Sequence, residues 1–153
     1  MKNDQIDDLD IKILNLIGGN ARIPFLEVAR ECNVSGAAIH QRVTKLTENG
    51  IILGSKFLLD WERVGFDTCA YIGVQTPPGD VNYDDIIEEL KKIKEITECY
   101  FSAGRFDIVF KIVAKNNKHL LDILQQRIVP MGFISSHTVI LYKEAFRRQV
   151  PIE

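Results

Sequence analysis

The stretch from Asn20 to Gly54 constrains the fold more than any other part of the chain. It reads NARIPFLEVARECNVSGAAIHQRVTKLTENGIILG, two short amphipathic helices joined by a break of very few residues. Pro24 suits the first turn of a helix, where its missing N–H is no loss. Phe25, Leu26, Val28, Ala29 and Cys32 then recur at helical spacing. Asn33-Val34 interrupts the pattern, and Ser35 is placed to cap a second helix by accepting a backbone N–H bond. Ile39, Val43 and Leu46 form the apolar stripe of that helix, and Asn49-Gly50 stops it. Two helices around so tight a corner predict a helix-turn-helix, whose second helix is the candidate reader of DNA.

The polar side of that second helix carries the candidate contacts. Advancing about 100° per residue puts Ile39, Val43 and Leu46 on one side of the wheel. Ala37, His40, Gln41 and Thr44 gather on the other, with Arg42 and Lys45 on the flanks. Ala37 permits close approach to a major groove and its methyl suits thymine, while Gln41 can pair with adenine. Arg42 and Lys45 have the reach and charge to hold phosphates and set register. With Ser35 at the helix start, these are the candidate DNA-binding residues. A solvated helix face has a similar composition; the preceding helix and the tight corner favour the DNA reading.

One more helix is expected upstream. Asp7 caps it, Asp10 stands at the capping-box position, and both suit the positive end of the helix dipole. Leu9, Ile13, Leu16 and Ile17 form its stripe and Gly18-Gly19 ends it. Three helices then close a small core, giving a winged-helix-like DNA-binding domain over 1–54. Ile51 to Asp60 reads as strand, a wing or hinge, and Trp61 to Gly65 as a turn, so 55–66 forms a linker strand and hinge.

From 67 to 153 the rhythm changes. Strands are expected over Thr68–Thr76, Ile96–Ser102, Phe106–Ala114 and Ile134–Tyr142, with a tight Ala103-Gly104-Arg105 turn between the middle two. Helices are expected over Asp84–Ile93, with Ile86, Ile87, Leu90 and Ile93 inward, and over Lys118–Ile128, with Leu120, Leu121, Leu124 and Ile128 inward. The order βαββαβ predicts a ferredoxin-like domain, one antiparallel sheet with two helices on one face, and hence an α+β chain. Tyr71, Val109 and Val113 fall at same-face spacing on the side without helices. An apolar sheet face of that kind predicts a symmetric homodimer.

Composition narrows the function classes. Lys plus Arg total 19 against 21 Asp plus Glu, and neither half is basic when the chain is divided at Asp60. No strong overall field draws the chain to nucleic acid, so DNA binding needs local geometry and several copies of the reader. Cys32, Cys69 and Cys99 are widely spaced and read as small core residues, and His40, His119 and His137 make no metal-ligand spacing. No metal site, catalytic residue or phosphate-cradling glycine motif is expected. The N-terminus is acidic, with Asp4, Asp7, Asp8 and Asp10 and no apolar core before Ile11, so no signal peptide is expected. No apolar run is long enough for a bilayer, and the reduced cytoplasm, without a membrane partner, is the expected location.

A second candidate site is the Gly104 turn. Gly104 permits a backbone conformation closed to other residues and lets a ligand approach main-chain N–H groups. Asp107 follows at the head of a strand, where it can accept bonds from an ammonium group. The competing reading makes Gly104 a hairpin glycine and Asp107 a turn acceptor for backbone N–H groups.

The chain resembles the Lrp/AsnC (leucine-responsive, or feast-famine) family of transcription regulators over nearly its whole length. IDDLDIKILNLI at Ile6–Ile17, NARIPFLEVA at Asn20–Ala29 and VSGAAIHQRVTKLTENGII at Val34–Ile52 resemble the family's helices. DWERVGF at Asp60–Phe66 resembles its linker. Cys99-Tyr100, AGRFD at Ala103–Asp107 and SHTVIL at Ser136–Leu141 resemble its effector domain. The resemblance implies DNA-binding dimers that assemble further, often to octamers, and respond to a small-molecule effector, an amino acid being one candidate. It implies that Ser102, Gly104, Arg105, Asp107 and Thr138, with Ser102 and Thr138 nearby on neighbouring strands, border the effector pocket between dimers. No other cofactor is expected. Sirohaem decarboxylases resemble the same two-domain family, which leaves an enzyme alternative resting on His119, His137 and Arg105. A binding module without DNA contact is a third reading.

Overall fold

The computed structural model describes residues 6–153; Asp4, counted above among the N-terminal acids, lies outside them. Helix α1 spans Asp8–Gly19, and Asp7 opens it with the capping box that its spacing to Asp10 predicts. The Asp7 carboxylate accepts the Asp10 N–H at 2.8 Å and Asp10 accepts the Asp7 N–H at 3.1 Å, so two of the helix's orphan donors are satisfied.

Helix α2 spans Phe25–Cys32 and α3 spans Gly36–Glu48. Pro24 stands one residue before α2, not inside it; its carbonyl accepts the Glu27 and Val28 N–H groups. The corner turns at Asn33, which takes the left-handed conformation at φ 55 and ψ 43. Asn tolerates that region better than other side chains do. Its conformation lets the Val34 N–H return to the Ala29 carbonyl at 3.0 Å. Ser35 then caps α3 as expected, its hydroxyl accepting the Ala38 N–H at 3.1 Å.

The core of this unit is Ile13, Val28, Ala29 and Ile39, with Leu9, Leu16, Ile17, Phe25 and Val43 packed against it. Leu26, counted above with the apolar stripe, is 61% exposed. It lies two positions from the buried Val28, about 200° round the helix, which turns it outward.

The chain divides into two compact units. One runs to Phe57 and takes in Phe146–Glu153; the other is Leu58–Ala145. The C-terminal residues, assigned above to the second domain, thus cluster with the helices, where the Asn15 side chain donates to the Ile152 carbonyl at 3.3 Å.

The expected linker strand is not formed. Ile51–Asp60 makes no backbone ladder within the described residues, because a strand exists only against a hydrogen-bonding partner. The segment leaves Leu53 94% exposed, and Phe57, Leu58 and Leu59 are exposed as well. Trp61–Gly65 is the expected turn, with the Asp60 carboxylate accepting the Glu62 and Arg63 N–H groups.

In the second unit, β1 (Thr68–Gln75), α4 (Tyr83–Lys91), β2 (Ile96–Phe101), β3 (Ile108–Ala114), α5 (Asn117–Ile123) and β4 (Ser135–Leu141) follow in the predicted order. The strands form one antiparallel sheet ordered β2-β3-β1-β4. Ile72 is in register with Phe110 on one side and Thr138 on the other. Ala70, Ile72, Val74, Ile108, Phe110 and Ile112 point toward the helices and bury Leu90, Ile93, Leu120 and Ile123. Tyr71, Val109 and Val113 point the other way, as period-2 spacing requires, and no described helix covers them.

Three local departures matter. The helix expected over Lys118–Ile128 ends at Ile123; a wider π turn over Leu124–Ile128 and a 3-10 turn over Val129–Met131 follow. That change keeps Ile128 buried, while Leu121 turns outward. Cys99, read as a core residue, is exposed because β2 is an edge strand, whereas Cys69 is buried on β1. The connection between β2 and β3 covers 102–107, so Phe106 belongs to the turn and not to the strand. Among the described residues no helix is long and apolar enough to cross a membrane.

Candidate nucleic-acid interface and ligand turn

Helix α3 is fixed by burial of Ile39 and Leu46, and its opposite side stays open. Ala37, His40, Gln41, Thr44 and Lys45 are exposed there, so the small, hydrogen-bonding and cationic groups expected to meet DNA share one accessible surface. His40 also sets its ring edge-on to Phe25 of α2, with centroids 4.6 Å apart. Ser35 serves as the cap, its hydroxyl already engaged.

Arg42, expected to hold phosphate, is paired within the chain. Its guanidinium lies 2.5 Å from Asp7 and 3.0 Å from Asp10, the two capping-box acids of α1. The arginine holds the Asp7 carboxyl below its ordinary range, helped by the Asp10 N–H, and the two acids in turn push the guanidinium above its own. The capping box was legible in the sequence; this third partner was not. Arg42 precedes Val43 of the apolar stripe, which turns it toward the bundle and not toward the groove-facing side.

The turn from Ser102 to Asp107 is tied at several points. The Asp107 carboxylate accepts both the Thr76 N–H at 2.7 Å and the Thr76 hydroxyl at 2.9 Å. Thr76 is buried, and its hydroxyl lies 3.3 Å from the Tyr83 hydroxyl at the start of α4. The Ser102 N–H and hydroxyl donate to the Asp107 and Phe106 carbonyls at 2.9 and 2.6 Å. One oxygen of the Asp107 carboxylate thus fastens the turn to the end of β1. Gly104 takes φ 139 with open space around it. Arg105 is exposed, its guanidinium 5.3 Å from the centre of the Phe106 ring.

Phe106 lies flat over Gly73, where an added Cβ would meet the ring at 2.4 Å. On its other neighbour the ring stacks with His137, in register with Gly73 on β4, at 6.0 Å between centroids. Gly73 thus seats the candidate turn and is absent from the sequence expectations; a glycine within a run of β-branched and aromatic strand residues was the available signal.

The expected proximity of Ser102 and Thr138 is not realised within one chain. Ser102 follows β2 and Thr138 lies on β4, the opposite edges of the sheet. Three strand spacings separate those edges, roughly 14 Å. The enzyme alternative meets the same obstacle. His119 lies in the first turn of α5, which Asn116 caps, its Nδ1 accepting the Lys115 N–H at 3.2 Å and its Nε2 3.8 Å from Glu95. That end of β3 is about 20 Å along the strand from Arg105 and His137. A groove of about 310 Å³ between α4 and β2, lined by Ile87, Leu90, Ile96, Cys99 and Phe101, contains none of the expected ligand residues. Among the described residues no His, Cys, Asp and Glu cluster suits a metal ion.

Residues 69–151 match the family model for the Lrp/AsnC ligand binding domain, and residues 6–52 match one for winged helix-turn-helix DNA-binding. The chain is 32% identical to the regulatory protein AsnC of Haemophilus influenzae, over 95% of this chain and 97% of the relative. It is 32% identical to the HTH-type transcriptional regulator Ptr1 of Methanocaldococcus jannaschii, over 93% of this chain and 95% of the relative. The structure of Escherichia coli AsnC superposes with a TM-score of 0.85 at 29% identity, covering 95% of this chain and 97% of that one.

Proposed function

This chain belongs to the Lrp/AsnC family of transcription regulators, and from that premise we propose how it reads DNA and how a ligand governs it. It is a DNA-binding regulator and not an enzyme, with an N-terminal helix-turn-helix and a C-terminal ligand-binding domain. Helix α3 is the reader: Gln41 and Thr44 face base edges, Ala37 gives close approach and Lys45 holds phosphate. The observation that carries this reading is the single open surface of α3, held by the cap at Ser35 and the corner at Asn33.

Self-association through the C-terminal unit sets two readers at half-sites one helical turn of DNA apart, or a multiple of it. Exposed apolar side chains on the helix-free sheet face, Val139 among them, and at Leu53, Leu58 and Leu59 support a homodimer. Assembly of dimers to a higher oligomer such as an octamer follows the family pattern.

An amino acid or related metabolite is the effector, bound between dimers at the Ser102–Asp107 turn. Gly104 offers main-chain N–H groups there and Arg105 a cation for a carboxylate. Asp107 shapes the turn, and Thr138 joins the pocket from another chain. A protein of the same fold from Neisseria meningitidis has been solved as an L-Met complex, at TM-score 0.88 and 21% identity over 95% of this chain and 96% of that one. The ligand acts by binding one assembly state better than another, which is the only way it can shift affinity for DNA. No cofactor beyond this effector is required, and work on DNA assigns the protein to the cytoplasm.

The test is selection of genomic fragments by the purified protein at two salt concentrations, followed by footprinting and amino-acid titration. Pseudo-palindromic sites whose binding weakens with salt, and shifts with one amino acid, are expected. Sequence-blind binding alone would remove α3 from its role and favour a module that binds effector only.

A further inference from the structure

Arg42 sits on the helix proposed to read DNA yet spends its charge inside the protein. Both of its ion pairs cross from α3 to the N-terminal end of α1, at 2.5 Å to Asp7 and 3.0 Å to Asp10. Those two acids are also locked to each other's backbone N–H groups. One guanidinium nitrogen thus joins the middle of α3 to a cap closed by two reciprocal hydrogen bonds. The geometry is unlike a surface ion pair between two free side chains, since the carboxylates are immobilised before Arg42 arrives and little further order is lost on pairing.

The other restraints on α3 lie elsewhere. Ile39 and Leu46 bury one stripe, Ser35 closes the N-terminal end, and His40 sets its ring edge-on to Phe25 one turn before Thr44. An apolar stripe resists separation of the helices but yields to rotation about the helix axis, because hydrophobic contact is not directional. A hydrogen-bonded charge on the flank fixes that rotation. Gln41 precedes Arg42 and Thr44 follows it by two, so the angle at which both meet a groove depends on where Arg42 is held.

We infer that Arg42 is a positioning residue for DNA recognition: pinned by the capping box of α1, it sets the rotation of α3 that presents Gln41 and Thr44, and it makes no phosphate contact. The inference rests on α3 being the reader.

The test uses the full-length protein, with two probes: the tightest duplex recovered from a random-sequence library by the wild-type protein, and a scrambled duplex. Affinity and its salt slope are measured for Arg42→Ala, for the pair Asp7→Asn with Asp10→Asn, and for the triple variant. The Asn replacements keep an acceptor for each cap and remove only the charge. Positioning predicts that Arg42→Ala and the Asn pair each weaken the selected duplex by about tenfold, a typical coupling for residues in direct contact. The triple variant should be no worse than Arg42→Ala, and the scrambled duplex and the salt slope should change little.

A phosphate contact predicts the opposite signs. Arg42→Ala would then lower the salt slope by about one for each phosphate no longer neutralised, on both duplexes. The Asn pair would free the arginine and leave binding equal or tighter. Either result overturns the inference, as does a lower melting temperature with undiminished affinity in the folded protein. Should Arg42→Ala fail to fold, the Asn pair decides alone, because loss and gain of affinity separate the two readings. Gln41→Ala serves as the control for the reader itself. If it too leaves the selected duplex unaffected, α3 is not the reader and both readings fall; if it alone weakens binding, only the positioning role does.

Discussion

Asp7 combines two tasks that elementary electrostatics makes acid-sensitive in a predictable direction. Its carboxylate caps α1 and receives Arg42, and that arginine, with the Asp10 N–H, holds its proton affinity below the ordinary carboxylate range. A group whose folded value is depressed stabilises the fold above its unfolded value and stops doing so as pH falls through the folded one. The N-terminal unit is therefore expected to lose melting temperature between about pH 5 and pH 3, and Asp7→Asn to flatten that slope. Thermal melts across this range, on wild type and variant, check it; equal slopes would remove Asp7 from the account. Gly73 supports a second prediction at this scale. Alanine there would meet the Phe106 ring at 2.4 Å, so the ring must leave and the Ser102–Asp107 turn must shift. Overpacking of this kind costs about 1–3 kcal/mol. Gly73→Ala should weaken the effector response while leaving DNA binding without effector intact, and Phe106→Ala in the same chain should restore the melting temperature.

At the scale of elements, the corner between α2 and α3 is a backbone decision made by one residue. Asn33 holds φ 55, where a β-carbon is crowded and a short polar side chain is tolerated. Asn33→Ala is expected to cost about 1 kcal/mol, and Asn33→Gly to be near neutral; equal melting temperatures for the two would contradict the strain argument. Elements that carry their own caps and stripes were legible in the amino-acid sequence: Asp7 and Asp10 mark α1, Ser35 marks α3, and alternating Ala70, Ile72 and Val74 mark β1. Elements whose form depends on something distant were not. Ile51–Asp60 has strand-forming residues but no ladder in a single chain, and α5 yields to wider turns where Ile128 must reach the core. The candidate site divided the same way. Exposure of Gln41 and Thr44 follows from helical periodicity, whereas the pairing of Arg42 with α1 and the bonding of Asp107 to Thr76 are tertiary events. Strand order, which separates Ser102 from Thr138, is likewise absent from local pattern.

The whole molecule carries 19 basic against 21 acidic residues, so a single reader meets DNA with little electrostatic help. Affinity must then come from joining readers, and the features that join them are apolar. Linking two readers makes the second binding event intramolecular, which raises avidity by about 10²–10⁴-fold with the same protein–DNA interactions at each half-site. Val139 is the position at which to test this, because it is 48% exposed on the helix-free sheet face, in register with Tyr71, and belongs to the unit that does not contain α3. A carboxylate there has its charge in water in the monomer and would be desolvated without a partner in a face-to-face dimer. Val139→Asp is therefore expected to fold, to sediment as a monomer, and to lose at least about a hundredfold in affinity for a two-half-site duplex. Its affinity for a single half-site should equal that of wild type. A variant that remained dimeric would exclude this face as the interface and direct attention to the Leu53–Leu59 segment. A monomer with undiminished two-site affinity would show instead that each reader suffices alone, and the absence of net positive charge would then need another remedy.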